Sequence, residues 1–269
     1  MKPLSAYILT HNSEKYLRPV LEKLSQVADD LVVVDSGSTD GTEAIVRGFP
    51  GVRFIYHPLK NFKDQRLFAE SVCRYDHILF LDSDEIPDED FIRSVKAVKE
   101  RDFPYEVYRL NRYWYVLGKP VHNIYPVVSP DRPVRLYDRS RASFRASRPV
   151  HEEVSGYRNL GLLEGKVHHY TFETREEMHR KLELYTRIAA LDLVRRGKKP
   201  YLFKMLVNPL AAFIKWYFLK GGFRDGTTGW ITGRYAFDYT LLKYRKARRI
   251  CRRIGRIKRN QRAEDSGKL

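Results

Sequence analysis

Two carboxylates separated by one residue follow an apolar strand late in the first hundred residues. They are Asp82 and Asp84, and the strand before them is predicted over His77–Asp82. Hard divalent ions such as Mg²⁺ and Mn²⁺ prefer a few carboxylate oxygens together with phosphate oxygens of a substrate. A cation held here can neutralise the charge that develops on a departing diphosphate. The pair therefore predicts a metal site for a phosphate-bearing substrate, although an ordinary acidic turn has the same sequence.

Two other predicted strands also end in polar residues. Thr10 and Asn12 lie at the end of the first strand, and Asp35 ends the second. Ligands of open α/β sheets bind outside the carboxyl ends of the strands, so we expect these side chains to meet the acidic pair at one edge. Asp35 can accept a hydrogen bond from a base or a ribose hydroxyl, whereas the residues over 38–42 suit turn and helix-capping chemistry.

Short apolar strands alternate with helical patterns over the first hundred residues, which predicts an α/β fold with a mostly parallel sheet flanked by helices. The predicted strands are Leu4–Thr10, Leu31–Asp35, Val52–Tyr56 and His77–Asp82, and the predicted helices are Ser13–Val27, Asp40–Gly48 and Lys63–Cys73. From Phe103 to Tyr170 the pattern is irregular and aromatic, as expected of mixed strands and long loops that bind an acceptor.

Helical patterns dominate from Thr174 onward. A helix is predicted over Arg175–Arg196, with an apolar stripe formed by Leu182, Tyr185, Ile188, Ala189 and Leu193. We therefore predict one domain over residues 1–172, in two halves (1–100 and 101–172). A helical region follows over residues 173–269.

The formal net charge of +17 is unevenly distributed, because the segment 243–262 carries eleven Lys or Arg residues and no acid. Such a segment binds nucleic acid, binds anionic lipid or is a solvated tail. The apolar stretch Tyr201–Lys220 before it is near the length of a membrane span, but two lysines, an asparagine and a proline interrupt it. An interfacial helix at an anionic membrane surface accommodates both segments. The apolar stretch could instead cover the protein's own core or an oligomer interface.

The two cysteines, Cys73 and Cys251, lie far apart and have no metal-ligand spacing, which indicates a reduced, cytosolic setting. The apolar run at the N-terminus is too short for a signal peptide. Together with the basic end, this predicts a cytoplasmic protein attached peripherally to the inner face of the cell membrane.

The three polar strand ends and their flanking residues resemble family 2 glycosyltransferases of the GT-A fold. The matching segments are Ile8–Asn12, Val32–Thr42 and Leu79–Glu85, in the same order and at the same spacing. The resemblance implies an inverting transfer from a nucleoside diphosphate sugar with Mn²⁺ or Mg²⁺ as cofactor. It makes residues 1–172 the catalytic domain, with a donor half (1–100) and an acceptor half (101–172). It also implies site residues: Thr10 and Asn12 line the nucleotide pocket, Asp35 contacts the base, Lys63, Gln65 and Arg66 fall in the stretch that closes over the nucleotide, and Asp82, Ser83 and Asp84 flank the ribose, diphosphate and metal.

Three later segments resemble bacterial lipopolysaccharide-core glucosyltransferases: Arg135–Tyr137, Pro149–Glu153 and His168–Tyr170. This second resemblance implies UDP-glucose as donor and a lipopolysaccharide-core or other lipid-linked saccharide as acceptor. Inverting transfer needs a base, and many family members have an acid some distance after the metal motif. Glu152 is therefore the expected base, with Glu153 and Asp131 as reserves, and His151 either orients the carboxylate or contacts the acceptor.

The same resemblance completes the expected site. His168 or His169 adds an imidazole to the metal, as a later histidine does in some members. Independently of the resemblance, Arg132, Arg135 and Arg139 suit a phosphate of the donor or of a phosphorylated sugar acceptor. The alternatives for these residues are an ion pair for Glu152, a structural histidine pair, and a general basic surface.

Two other functions fit parts of this pattern. A metal-dependent nucleotidyltransferase also uses carboxylates and a divalent ion, but no Gly-rich, lysine-bearing phosphate loop is present near the N-terminus. A non-enzymatic nucleic-acid-binding protein would use the basic end and the interleaved aromatics. Because that function leaves the three polar strand ends unexplained, we expect no nucleic-acid partner.

Overall fold

The computed structural model describes residues 1–145, 153–198 and 201–266. The chain forms two compact units, of which the first comprises Met1–Tyr113 and Pro130–Tyr170 and the second Trp114–Ser129 and Thr171–Leu269. The segment 114–129 therefore belongs to the second unit, and the domain boundary at residue 172 stays a prediction.

The strands are short, and most lie in the first unit. They are β1 (Leu4–Thr10), β2 (Asp30–Asp35), β3 (Arg53–Tyr56), β4 (His77–Asp82), β5 (Glu85–Pro87), β6 (Val107–Arg109), β7 (Arg112–Val116), β8 (Lys119–Pro120), β9 (Asn123–Ile124), β10 (Val127–Val128), β11 (Val134–Asp138), β12 (Leu160–Leu162) and β13 (Val167–Phe172). The helices are α1 (Glu14–Leu24), α2 (Thr42–Arg47), α3 (Phe62–Val72), α4 (Glu89–Glu100), α5 (Arg175–Arg195), α6 (Leu202–Ile214) and α7 (Gly226–Ser266). A π-helical turn (Lys215–Leu219) and a 3-10 turn (Gly222–Asp225) follow α6.

The first unit is built on a seven-stranded sheet in the order β12-β6-β11-β4-β1-β2-β3. The strands β4, β1, β2 and β3 are parallel, whereas β11 is antiparallel to β4. Successive valines of β2 face opposite sides of the sheet, so Val33 packs with α1 and α4, and Val32 and Val34 pack with α3. A parallel sheet covered on both faces needs such continuously apolar strands.

The strand register brings the polar strand ends together. Thr10 at the end of β1 lies opposite Asp35 of β2, and Leu9 lies opposite Asp82 of β4. The predicted α/β fold with a mostly parallel sheet is thus confirmed, and each of the four predicted strands matches an observed one to within a residue. The first three helices are confirmed: α1 and α2 are shorter than predicted, and α3 is shifted by one residue.

The second unit is mainly helical, and its core takes residues from both of its chain segments. Val116, Val121 and Ile124 pack with Phe172, Met178, Leu182 and Tyr235, all of which are buried. Helix α5 buries Met178, Leu182, Thr186 and Ala190, at positions four residues apart. The predicted stripe is wrong at Tyr185 and Ile188, which are 45% and 40% exposed, because α5 turns a narrower face to its neighbour than its apolar residues suggest.

Candidate active site

The turn after β2 is organised around the carboxylate of Asp35. One oxygen accepts hydrogen bonds from the hydroxyls of Thr10 (2.8 Å) and Ser38 (2.5 Å), and the other accepts from the backbone amides of Gly37 and Ser38 (both 2.8 Å). Burial opposes ionisation of Asp35, but these hydrogen bonds outweigh it and lower the pKa. Asp35 is therefore an ionised carboxylate that holds the turn at the end of β2.

Asn12 connects this turn to the end of β1. Its backbone has φ +51°, a left-handed conformation that asparagine tolerates better than most residues. The backbone amide of Asn12 donates to the Ser38 hydroxyl (2.8 Å), and its side-chain oxygen accepts from the Thr39 amide (2.8 Å). The structure thus brings Thr10, Asn12 and Asp35 together, as predicted.

The Asp82 carboxylate at the end of β4 lies between two buried arginines. Arg66 donates to one oxygen (3.1 Å) and Arg135 donates to the other (3.0 Å). Both guanidinium groups also lie over the Phe80 ring, at 4.7 Å and 4.8 Å from its centroid. Because each oxygen already faces a cation, Asp82 is a poorer ligand for a metal than a carboxylate without arginine partners.

Glu85, three residues further on, lies in the middle of this charge network and is fully buried. It accepts hydrogen bonds from Arg135 (2.7 and 3.1 Å), from Arg112 (2.7 Å) and from the backbone amide of Asp82 (3.0 Å). Arg112 also donates to both oxygens of Asp131, at 2.9 and 2.6 Å. Burial raises the pKa of Glu85, but the positive charges of Arg135 and Arg112 outweigh burial and hold it well below its usual range.

Asp84 and His169 form a second pair, two residues beyond the end of β4. The imidazole Nε2 of His169 lies 3.4 Å from a carboxylate oxygen of Asp84. Antiparallel pairing of β13 with β5 sets His169 opposite Glu85, and the amide of Tyr170 donates to the Asp84 carbonyl (3.1 Å). Burial lowers the pKa of His169, but the adjacent Asp84 carboxylate outweighs it and raises the pKa.

His168 faces away from this pair, because successive side chains of a strand point to opposite sides. It lies opposite Ile86 in the register, and burial lowers its pKa. Of the two predicted histidines, the structure brings His169 and not His168 to Asp84.

Three further predicted residues make contacts of their own. Lys63 donates to the Arg145 carbonyl (2.6 Å), and the Ser83 hydroxyl donates to that of Ser13 (2.9 Å). Gln65 is buried, and its amide donates to the His57 carbonyl (3.0 Å), so it supports the chain before α3.

The arginines expected to meet phosphate separate into different environments. Arg139 donates to Asp76 and to the carbonyls of Glu70 and Cys73 at the end of α3, and Arg132 donates to Asn111. Arg135 alone of the three contacts the acidic strand end. The predicted base Glu152 and its neighbour His151 lie outside the described residues. Glu153 is exposed, and Asp131 pairs with Arg112.

Asp84 and His169 suit a borderline-hard divalent cation, which accepts both carboxylate oxygen and imidazole nitrogen. The described part of the chain contains no group of three or more His, Cys, Asp or Glu side chains that could hold a metal. A cation at this pair would therefore need further ligands from the substrate, as phosphate-bound Mg²⁺ and Mn²⁺ commonly have.

Comparison with known proteins shows the family. Residues 5–116 match the model of Glycosyl transferase family 2. Lipopolysaccharide core biosynthesis glycosyltransferase LpsC of Rhizobium meliloti (strain 1021) is 31% identical over 247 residues, which cover 89% of this chain and 90% of LpsC. The chain is a family 2 glycosyltransferase. An uncharacterised glycosyltransferase of Rickettsia typhi is 26% identical over 263 residues, covering 93% of this glycosyltransferase and 88% of the relative.

Solved structures are similar at lower identity. The match to S. aureus TarS covers 93% of this glycosyltransferase and 91% of the TarS chain, at 15% identity and a TM-score of 0.46. Glucosyl-3-phosphoglycerate synthase of Mycobacterium tuberculosis, solved with Mn²⁺, UDP and phosphoglyceric acid, covers 52% of this chain and 56% of its own, at 20% identity and a TM-score of 0.39. At these scores neither structure bears on the site.

Membership of the family makes this glycosyltransferase an enzyme and sets aside the nucleotidyltransferase and the nucleic-acid-binding protein. Sequence reasoning missed Glu85 and Arg112 as parts of the site. A signal for Glu85 was present, since it directly follows the acidic pair. Nothing in the sequence indicated that Arg112 would reach it across 27 residues.

Proposed function

We propose that this glycosyltransferase moves glucose, with inversion, from UDP-glucose to a lipopolysaccharide-core or other lipid-linked saccharide. The observation that carries the proposal is the Asp84–His169 pair, which follows the end of β4, the strand that pairs with β1. Relatedness to LpsC, named as a lipopolysaccharide core biosynthesis glycosyltransferase, supports the acceptor class.

Asp84 and His169 would hold Mn²⁺ or Mg²⁺ together with the donor diphosphate. When bound, such an ion offsets the negative charge that grows on the leaving UDP. Thr10, Asn12 and Asp35 would form the nucleoside pocket. In this pocket, Asp35 can accept a hydrogen bond from the base or the ribose only if that bond replaces one of the four it accepts now.

Arg66 and Arg135 would supply positive charge beside the diphosphate. Their guanidinium groups are held in place by Asp82 and by the Phe80 ring, so they need little reorganisation when the donor binds. Asp82 would then contact the ribose or a metal-bound water rather than the metal itself.

Transfer with inversion needs a base that deprotonates the acceptor hydroxyl as it attacks the anomeric carbon. We assign this role to Glu152, with His151 as its orienting neighbour. A Glu152→Gln enzyme should lose about 10²- to 10⁴-fold in kcat, the range typical of a lost general base. Glu153→Gln is the matched control, since it removes the same charge one residue away.

The assay follows UDP release from UDP-glucose with a lipopolysaccharide-core acceptor, with Mn²⁺ and with EDTA. Binding of UDP is measured beside it for both variants. Near-normal turnover of Glu152→Gln, with intact UDP binding, would remove Glu152 from the mechanism. Equal rates of UDP release with Mn²⁺ and with EDTA would exclude a role for the cation in the reaction.

The second unit supports attachment to the cytoplasmic face of a membrane. Leu202–Leu219 is the one run, among residues whose structure is described, that is long and apolar enough to cross a membrane. Its outward side carries Phe203 (72% exposed), Leu206 (75%) and Leu219 (77%), so most of this run lies on the surface of the protein.

The packing of α7 against α6 favours an α6 that lies in the plane of the membrane rather than across it. The side-chain amide of Asn208 on α6 donates to the Tyr244 hydroxyl on α7 (2.7 Å). The ring centroids of Phe213 on α6 and Trp230 on α7 lie 5.3 Å apart. The two helices thus pack antiparallel along most of α6. A spanning α6 would carry the arginines and lysines of α7 into the bilayer, at a cost of about 2.5–3.5 kcal/mol each. An α6 lying in the interface leaves them at an anionic headgroup layer.

Flotation of the full chain with vesicles tests this attachment. We expect Leu206→Glu to abolish flotation with phosphatidylcholine/phosphatidylglycerol vesicles and Leu160→Glu, the same change at an exposed leucine of β12, to leave it unchanged. Flotation that survives Leu206→Glu would refute the α6 interface. A dimer that dissociates in Leu206→Glu would assign the surface to a second copy of the chain instead.

A further inference from the structure

Glu85 is the most completely buried carboxylate near the strand ends, and the proposed mechanism gives it no part. Its side chain is 0% exposed, against 32% for Asp82 and 30% for Asp84. It therefore cannot contact the donor or a cation from solvent, and its contribution must act through its neighbours.

Those neighbours form a compact charge cluster. The carboxylates are Asp82, Asp84, Glu85 and Asp131, and the guanidinium groups are Arg66, Arg112 and Arg135. Apart from His169, the cluster has one more negative than positive group. Without Glu85 that excess disappears, and a divalent cation at Asp84 would face a neutral cluster.

Glu85 also fixes geometry. Its carboxylate binds Arg135, which binds Asp82, and it accepts from the Asp82 amide (3.0 Å) at the start of the acidic turn. Its backbone pairs with His169 between β5 and β13. The same residue thus bears on both the arginine-bound carboxylate and the histidine beside Asp84.

We infer that Glu85 is a positioning residue that neutralises Arg112 and Arg135 and so keeps the Asp84–His169 pair attractive to a divalent cation. This inference rests on the proposed cation-dependent function. It makes an electrostatic prediction that a purely structural role does not make. Removal of the Glu85 charge weakens binding of a cation and does not weaken binding of an anion.

The test measures two affinities on the full chain: Mn²⁺ in the presence of UDP, by electron paramagnetic resonance, and UDP in EDTA, by calorimetry. We expect Glu85→Gln to lower the Mn²⁺ affinity by on the order of tenfold, since a unit charge at short range still acts through a partly buried site. Binding of UDP in EDTA should stay equal or become tighter.

Asp30→Asn is the matched control. Asp30 is a buried carboxylate at the opposite end of the same sheet and is held by two arginines, Arg53 at 2.8 Å and Arg74 at 3.8 Å. The Asp30→Asn chain should lose thermal stability, as the Glu85→Gln chain does. Its Mn²⁺ affinity should stay within about twofold of wild type, because screening weakens the effect of a distant charge.

A double variant, Glu85→Gln/Arg112→Met, covers the case in which the single variant does not fold. Replacement of both partners of a buried ion pair is tolerated better than removal of one. It restores the charge balance, so its Mn²⁺ affinity should return towards the wild-type value.

An unchanged Mn²⁺ affinity in Glu85→Gln would overturn the inference, as would a parallel loss of Mn²⁺ and UDP binding, or a double variant that shows no recovery. A wild-type chain that binds UDP but no Mn²⁺ would overturn the cation-dependent function itself. The two failures are therefore distinguishable.

Discussion

Gly229 in α7 has no room for a side chain beside the Gly222 backbone. A Cβ placed there would lie 1.7 Å from the Gly222 carbonyl oxygen and 2.8 Å from its carbon, and both atoms belong to the backbone. A carbon and an oxygen normally approach no closer than about 3.3 Å, so Gly229→Ala requires a backbone shift of roughly 1.6 Å. No rotamer change can supply that shift.

Gly255 lies in the same helix and provides the opposite case. A Cβ there meets no atom within 4 Å. Alanine in a helix interior is favoured over glycine by about 1 kcal/mol, so Gly255→Ala should stabilise the second unit by up to that amount. Forced overpacking typically costs about 1–3 kcal/mol, which opposes the same helical gain at Gly229. Because the helical gain is common to both variants, they should differ by the overpacking cost, about 1–3 kcal/mol in the free energy of unfolding.

Tryptophan fluorescence is a selective probe for this comparison. The three tryptophans, Trp114, Trp216 and Trp230, all belong to the second unit. For a unit of roughly a hundred residues, a difference of 2 kcal/mol separates the midpoints of thermal unfolding by about 8 °C or more. A Gly229→Ala chain as stable as the Gly255→Ala chain would show that α7 does not approach Gly222 this closely.

Further predictions concern the first unit. His169→Ala should weaken Mn²⁺ binding in the presence of UDP by about 10- to 100-fold, as expected for lost support of a metal site, while His168→Ala changes it less than twofold; equal losses would refute the assignment to one histidine. Arg139→Met should lower the free energy of unfolding by about 1–3 kcal/mol in urea titrations, because it removes the donor to two carbonyls at the end of α3; an unchanged midpoint would contradict that role. Burial raises the pKa of Glu70, so the fold favours its protonated form and is penalised once the pH exceeds that pKa. Glu70→Gln, which keeps an acceptor for the Tyr137 hydroxyl, should therefore melt above wild type at pH 8, with the difference vanishing below about pH 4. A difference that does not depend on pH would exclude this cause.

The sequence predicted those features of the fold and the site that depend on the residue pattern of a single strand. The apolar run of β2 and the polar residues that follow it indicate a buried strand with a functional end, without knowledge of its neighbours. Parallel pairing then brings Thr10 and Asp35 together, because strands of one sheet share a carboxyl edge. The convergence of these residues could thus be predicted from local patterns.

Features that depend on pairing between distant segments could not be predicted. The choice between His168 and His169 needs the register of β13 against β5, and only then does strand alternation exclude one of them. The stripe on α5 failed for a related reason. Tyr185 and Ile188 are apolar enough to be buried, but the packing of the helix is decided by the partner surface, which periodicity does not reveal.

The core of the second unit bears on how this enzyme can be divided. Val116, Val121 and Ile124 come from a short segment that interrupts the sequence of the first unit, and they are buried together with residues that follow β13. A fragment that stops at the end of β13 would leave these side chains without their partners. An exchange of tails between related enzymes would therefore need two cuts and two grafts, so that the short inner segment travels with the C-terminal helices. The second unit of such enzymes is expected to diverge in evolution as a matched pair of segments rather than as a single detachable module.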